Sequence, residues 1–517
     1  MVPQRKRKVN RTSLILFIIL LLAFFFRFYK LTEWFSFGMD QEYEAFLVKN
    51  IVEGNHIPLI GVNAGDTGIY LGPYFIYLSV IPYLLFLGNP LGFAVTASFL
   101  GVVVTYLIFV IVKKLFSLPA GLFAAFFYAA SFLASYYDRS FWNPMPVPLL
   151  SLLIVYFIYR IVRGDGKYLV FLAFVFGLIF HTHLSLLIFT PIVIYVLIVN
   201  RQKFSRKIII WSLCVFLFML APLLLFELRH NFTNSRAVIK SFSAENNSQT
   251  SGFNNRVYHL MNFLGRFIWI PPAPDLFVEK GMCRDLLWLR KNAYPEIIGL
   301  TVLALAVFLY LHHPGKRSAA YALVMAVFSM GLLAVLFYRG NFYEYYLLFL
   351  LPFLAIVLGI VVSILNRSEN LKPLAVLIVF VFLVLNLITL FTAQNSYTHN
   401  NKIAVTQFTK KYVSQDTFNL EALGECPRFG GWRYLFEYNV GTPVHSYMDS
   451  YFQWLYQDKT PSGQPEKVVL LSMIDARSAP KTIARWQEDK VRFLTGYNIL
   501  AEKLLKNIHV FILSPIK

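Results

Sequence analysis

Hydrophobic positions in this chain gather into long runs separated by short polar punctuation, with little strand-like alternation before residue 394. A helix crossing a bilayer core needs about 20 apolar residues, fewer when flanking groups reach the interface. Eleven runs are read as spans: 13–29, 91–112, 120–136, 147–162, 168–180, 184–199, 208–226, 296–311, 319–338, 345–365 and 374–391. A twelfth run, 73–87, is about 15 residues long, carries Pro73 and Pro82 and is rich in Tyr. It reads as an interfacial or re-entrant helix on the outer face. Between runs one and two, residues 41–53 read as a short amphipathic helix with Tyr43, Phe46, Leu47, Ile51 and Val52 on one side, stopped by Gly54.

Charge turns the pattern into a topology. Arg5, Lys6, Arg7, Lys8 and Arg11 place the N-terminus in the cytoplasm, ahead of an uncleaved anchor. Lys113/Lys114, Arg160/Arg163/Lys167 and Arg201/Lys203/Arg206/Lys207 then fall on the inner side, provided 73–87 does not span. The eleventh span leaves the C-terminus outside. The expected location is the plasma (inner) membrane, with residues 30–90 and 227–294 as external loops. The net charge of +20 follows from these flanking clusters, so no nucleic-acid partner is implied. Charged residues make up only 14% of the chain, against roughly a quarter in soluble domains. From 394 the composition becomes that of a soluble α/β module. Helices are expected at 403–413, 482–490 and 498–505, and strands at 468–473 and 509–514. The division is therefore 1–393, a membrane domain, and 394–517, an external domain. Cys214, Cys283 and Cys426 form no metal or redox motif, and Cys283 could pair with Cys426 if both are external.

Candidate chemistry concentrates in one loop. Before Glu227 the chain has eight acidic residues, and six of them lie between Glu33 and Asp66. The stretch Ser36-Phe-Gly-Met-Asp40-Gln41-Glu42-Tyr-Glu44 directly follows the first span. On the topology above its face also collects Tyr70, Tyr74, Arg139, Trp142, Asn143, His183, Arg229, Arg339 and Tyr345. A carboxylate can remove the proton of an attacking hydroxyl, and Arg can stabilise a departing phosphate. Such a face suits transfer from a lipid phosphate to a hydroxyl acceptor, protein, lipid or glycan, beside membrane lipid. Nucleotide-sugar chemistry lacks its Gly-rich loop here. A solvated loop acid, an interfacial aromatic belt and an Arg139–Asp138 salt bridge are the plainer readings of the same residues. A transporter or flippase for a lipid-linked substrate is the competing function; the near absence of carboxylates from the spans and of a repeat disfavours it. A sensor whose external module binds a ligand is a third.

The order of these features carries a resemblance: a basic-flanked span, an external acidic motif, a Gly72-Pro-Tyr interfacial helix, a span ending in Lys113-Lys114, and one ending in Arg139 with Trp142-Asn143-Pro144. The chain resembles the GT-C glycosyltransferases, in the protein O-mannosyltransferase and aminoarabinose-transferase-like group. The resemblance implies a GT-C fold and inverting transfer of a sugar from a polyprenyl-phosphate carrier to a hydroxyl. It implies Asp40 as the catalytic carboxylate with Glu42 assisting. Arg139, His183 and Arg229 would meet the donor phosphate. Gln41, Tyr70, Tyr74, Trp142, Asn143, Arg339 and Tyr345 would line the pocket, with no obligatory cofactor or metal. The family's commoner Asp-Glu pair is Asp40-Gln41 here, so Gln41 is expected to orient substrate.

Overall fold

The computed structural model describes residues 11–64, 67–243, 253–271, 293–311, 318–338, 342–393, 398–413, 416–424, 426–456, 461, 464–474, 478–506 and 508–516. Helix α1 (Arg11–Phe28) leads through the short α2 (Leu31–Trp34) to α3 (Met39–Val52) and α4 (Tyr74–Leu85). Then come α5 (Pro90–Leu115), α6 (Leu118–Ala130), α7 (Phe132–Tyr137), α8 (Val147–Val162), α9 (Tyr168–Ile179), α10 (Thr190–Val199) and α11 (Arg206–Arg229). The bundle continues with α12 (Thr233–Ser243), α13 (Phe253–Ile268), α14 (Ala293–Leu311), α15 (Ser318–Phe337), α16 (Leu351–Leu365) and α17 (Lys372–Thr392). Among the described residues, six helices are long and apolar enough to cross a membrane: 11–28, 90–115, 206–229, 319–337, 344–365 and 372–392. The remaining apolar runs form shorter helices, 74–85 among them.

Three expected spans are interrupted, each for a local reason. The 120–136 run breaks at Ser131, which ends α6 and caps α7 through its hydroxyl. The freed Phe132 N–H donates to Asn386 Oδ1 of α17 at 2.8 Å, and Ser131 Oγ donates to Phe267 O of α13 at 3.0 Å. A break inside an apolar layer survives only where neighbours take up the released backbone groups. The runs at 184–199 and 345–365 both open with a 3₁₀ turn, Leu184–Phe189 and Glu344–Leu350, before a Pro-started α-helix. The 227–294 stretch is no simple loop where it is described. Helix α13 packs inside the bundle with Phe263 and Phe267 fully buried, and its Arg266 pairs with Glu344, which also accepts from Tyr137 Oη at 2.8 Å.

The end of α1 is fastened to the third run by charge. Arg27 is fully buried and meets Asp138 at 2.7 Å, while Tyr128 Oη donates to the other Asp138 oxygen at 3.1 Å. Two fully or nearly buried charges persist because each is paired and hydrogen-bonded. Gly101 lies against this pair: a Cβ there would come within 2.5 Å of both Arg27 Nε and Asp138 Oδ2.

Beyond α18 (His399–Val413) come β1 (Phe418–Leu423), α19 (Trp432–Asn439), α20 (Asp449–Tyr456), β2 (Lys467–Ser472), α21 (Pro480–Leu494), β3 (Tyr497–Leu505) and β4 (Ile508–Pro515). The sheet order is β1-β2-β4-β3, with β1 parallel to β2 and the other pairs antiparallel. The expected helix at 498–505 is a strand. Its Leu, Ala, Glu and Lys residues favour helix intrinsically, but pairing with β4 from Tyr497↔Pro515 to Leu505↔Ile508 overrides that preference. Cys214 is free and exposed; Cys283 lies outside the described residues, so its expected pairing does too.

Candidate active site

Helix α3 begins where an extended stretch, Phe35 to Gly38, leaves α2. Its first turn is closed by Gln41, whose Oε1 accepts from Gly38 N at 2.9 Å. This is the reach-back half of a capping box, a task that Glu or Gln performs equally at the third helical position. Its carboxamide oxygen thus fixes the start of the helix, a task that stands beside the substrate-orienting role expected for Gln41.

At 100° per residue, Asp40 and Glu44 share a face, while Glu42 points 200° away. The structure follows that geometry. Glu42 is fully buried, and its Oε1 accepts from Tyr434 N at 2.8 Å. Burial raises its carboxyl to about 7, with the Tyr434 N–H, Arg433 and Lys402 pulling the other way. The expectation that Glu42 assists Asp40 is thus corrected: it faces the C-terminal module. Glu44 takes the place beside Asp40, a residue that the i,i+4 spacing alone could have singled out. Glu44 is 2% exposed, and neither of its oxygens completes a hydrogen bond among the described residues. Its carboxyl is raised well above the ordinary range, first by burial and then by the nearby charge of Asp40, while the Asn143 N–H lowers it. Asp40 itself is exposed. Protein nonetheless surrounds it closely enough that lost hydration raises its carboxyl too.

Around this pair lie residues from three other segments. Asn143, after α7, donates from Nδ2 to Thr182 O at 2.7 Å, tying its loop to the loop after α9. Trp142 meets Tyr345 edge-on at 4.8 Å, and its buried Nε1 has no partner among the described residues. Tyr345 is close enough to Asp40 to feel its charge. His183 packs against Tyr345 and Tyr346, at 5.6 and 5.3 Å between ring centres. Its Nδ1 accepts from Ser185 N at 3.3 Å and lies 2.7 Å from Ser185 Oγ. That assigns the proton to Nε2, which can donate. Burial lowers the imidazole to about 4, so His183 is neutral at physiological pH and offers a hydrogen bond rather than a charge.

The other expected site residues stand apart from this cluster. Arg139 is 1% exposed and turns to the end of α1: Nε donates to Arg27 O at 3.0 Å and Nη2 to Phe26 O. Its guanidinium lies 5.7 Å from the Trp34 ring centre, and Nη1 has no partner among the described residues. Asp138 pairs with Arg27. Tyr70 exchanges two backbone hydrogen bonds with the Asn234 side chain, each 2.9 Å, and Tyr74 stacks on His181 at 4.2 Å while donating to Phe218 O. Both tyrosines brace the 70–74 turn. His181, whose Nε2 sits 2.6 Å from Met219 O, belongs to that brace and points away from any shared ligand with His183. Arg229 is exposed at the end of α11. Arg339 lies outside the described residues. Among the described residues no three His, Cys, Asp or Glu side chains gather as a metal would require. A separate cleft of about 380 Å³, lined in part by Lys30, Trp34, Thr398 and Lys506, holds none of the Asp40 cluster.

Comparison with known proteins places this architecture. Residues 71–226 match the family described as dolichyl-phosphate-mannose-protein mannosyltransferase, a stretch that starts after Asp40 and includes Arg139, Trp142, Asn143 and His183. The fold is that of ArnT from Cupriavidus metallidurans. The structure bound to undecaprenyl phosphate aligns with a TM-score of 0.59 at 11% identity, over 97% of this chain and 98% of that one. The apo structure of ArnT from the same organism gives 0.55 at 13% identity over 97% of each chain. No curated protein matches the chain by sequence.

Proposed function

We propose that this protein, an integral-membrane glycosyltransferase of the GT-C class using a polyprenyl-phosphate sugar donor, transfers the sugar with inversion to a hydroxyl acceptor. We place the reaction on the outer face of the membrane, at Asp40. The topology belongs to the proposal: about eleven spans, a cytoplasmic N-terminus, a membrane domain over 1–393 and an external domain over 394–517. The ArnT relative was solved with undecaprenyl phosphate, and a carrier of that chemical class is the donor envisaged here.

The observation that carries the reading is the Asp40–Glu44 pair. Two carboxyls lie one helical turn apart, one exposed and one enclosed, beside Tyr345 and the Trp142 and His183 rings that pack on it. In the reaction, the acceptor oxygen forms a bond to the anomeric carbon while its proton passes to Asp40. The bond from that carbon to the phosphate oxygen breaks on the opposite side, and its electron pair leaves with the polyprenyl phosphate. Preorganised donors stabilise the charge that develops there. The His183 Nε2–H and the Trp142 Nε1–H are the donors this chain offers. Burial and then the Asp40 charge raise the Glu44 carboxyl, which favours its uncharged form beside the approaching phosphate. The proposal includes no resident metal.

The test is transfer by purified full-length protein from polyprenyl-phosphate sugars to candidate acceptors, with Asp40→Asn in parallel and a chelator in one arm. General-base catalysis contributes roughly 10²–10⁴-fold, so Asp40→Asn should lower turnover by at least about a hundredfold. Near-normal transfer by that variant would remove Asp40 from the role.

A further inference from the structure

The start of α3 is held by the C-terminal residues from the side opposite Asp40 and Glu44. His399 N donates to Phe35 O at 2.9 Å, and the fully buried Lys402 Nζ donates to Phe37 O at 2.8 Å. Gly431 sits at φ +67°, and a Cβ there would come within 2.5 Å of Phe37 O and 3.0 Å of Gly38 O. That close approach and the left-handed backbone both call for glycine. Gly431 is also the N-cap of α19, so the helix begins without a side-chain acceptor of its own. Glu42 supplies one from α3 by accepting the third N–H of α19, that of Tyr434.

We propose that Glu42 and Lys402 are positioning residues, and that the C-terminal module sets the rotation and starting point of α3 so that Asp40 and Glu44 face away from it, toward Tyr345 and Asn143. The inference rests on Asp40 being the base. Its physical content is simple. A helix pinned at Glu42, two residues on and 200° around from Asp40, cannot turn about its axis. A helix whose entering strand is held at Phe35 and Phe37 cannot slide along it. The module then acts within the catalytic step, beyond any part it has in acceptor docking. It also separates the two chemistries a Glu at 42 could have. A proton-transfer role needs the ionisable group, whereas a positioning role needs only an acceptor oxygen, which Gln retains.

The experiment compares full-length Glu42→Gln, Glu42→Leu, Lys402→Met and Asp40→Asn in lipid nanodiscs. Turnover, donor KM and amide hydrogen exchange over residues 38–46 are measured for each. Glu42→Leu and Lys402→Met should lower kcat by about ten- to a hundredfold, the scale of small misplacements, with donor KM little changed and faster exchange at 38–46. Glu42→Gln should stay close to wild type in both readouts. A Glu42→Gln enzyme as impaired as Asp40→Asn overturns the proposal, as do unchanged kcat and exchange in Glu42→Leu. If Asp40→Asn remains active, the base assignment fails, and the exchange data still decide whether Glu42 and Lys402 hold the helix.

Discussion

Glu42 carries a measurable signature of where it sits. Its carboxyl is raised from 4.5 to about 7, chiefly because burial strips its water. The folded state therefore binds this proton more tightly than the unfolded chain. Below pH 4.5 both states are protonated, and Glu42 adds no pH dependence. Between about 4.5 and 7 the unfolded chain releases the proton while the fold keeps it, so stability falls as pH rises. Above 7 both states are ionised and the loss is complete. At 1.36 kcal/mol per decade, the total is about 3 kcal/mol. Glu42→Gln cannot ionise and keeps the oxygen that accepts from Tyr434. The variant should therefore melt much as wild type does near pH 5 and at a higher temperature near pH 8. Asp40 and Glu44 titrate too, but they are present in both proteins and on the other face of α3, so the difference between the two curves isolates Glu42. Thermal unfolding of the detergent-solubilised proteins at half-unit steps from pH 5 to 8 reads this directly. Melting curves that run parallel across that range would refute the burial argument.

Other expectations test separate parts of the site. Gly72→Ala places a Cβ 2.0 Å from His181 Nδ1, on a ring already fixed between Tyr74 and Met219. Overpacking and the strained hydrogen bond together should cost roughly 2–4 kcal/mol, seen as a lower melting temperature; an unchanged one would mean the ring moves freely. Because burial lifts Asp40 above its ordinary 3.8, turnover should rise with pH through a midpoint above that value, since the ionised form is the base. A rate flat from pH 4 upward would contradict this. Glu44→Gln, a close match to the protonated acid, should retain most of its turnover near neutrality, whereas Glu44→Leu should not; equal loss in both would show that Glu44 works ionised.

The elements that carry this site were legible to very different degrees. The apolar runs announced themselves, and the α3 helix was visible from Tyr43, Phe46, Leu47 and Ile51 because its inner face is apolar. Asp40 stood out as an acid just past a span. Glu44 rather than Glu42 accompanies Asp40, since a 100° step per residue already separates 42 from 40. Ser131 could not reveal a broken helix, because the partners that make the break tolerable, Asn386 and Phe267, lie far along the chain. Residues 498–505 read as helix because their composition says so, and only the pairing with β4 says otherwise. Arg139 looked like a ligand for phosphate because sequence shows a charge and not the α1 carbonyls waiting for it.

The clasp between Arg27 and Asp138 also fixes an order of events during synthesis. Arg27 emerges 111 residues before its partner, an interval of about 6–22 s at ordinary elongation rates. Through that interval the first helix holds an unpaired cation near its C-terminal end, carried on a long aliphatic stem. Only when Tyr128 and Asp138 follow can the guanidinium withdraw into the bundle. Arg139 then closes over the carbonyls of Phe26 and Arg27, the very end of the helix that delivers Asp40. The surroundings of Asp40 can be assembled only after the third hydrophobic run has reached its place, so a ribosome-bound chain halted before Tyr128 would carry Asp40 without them.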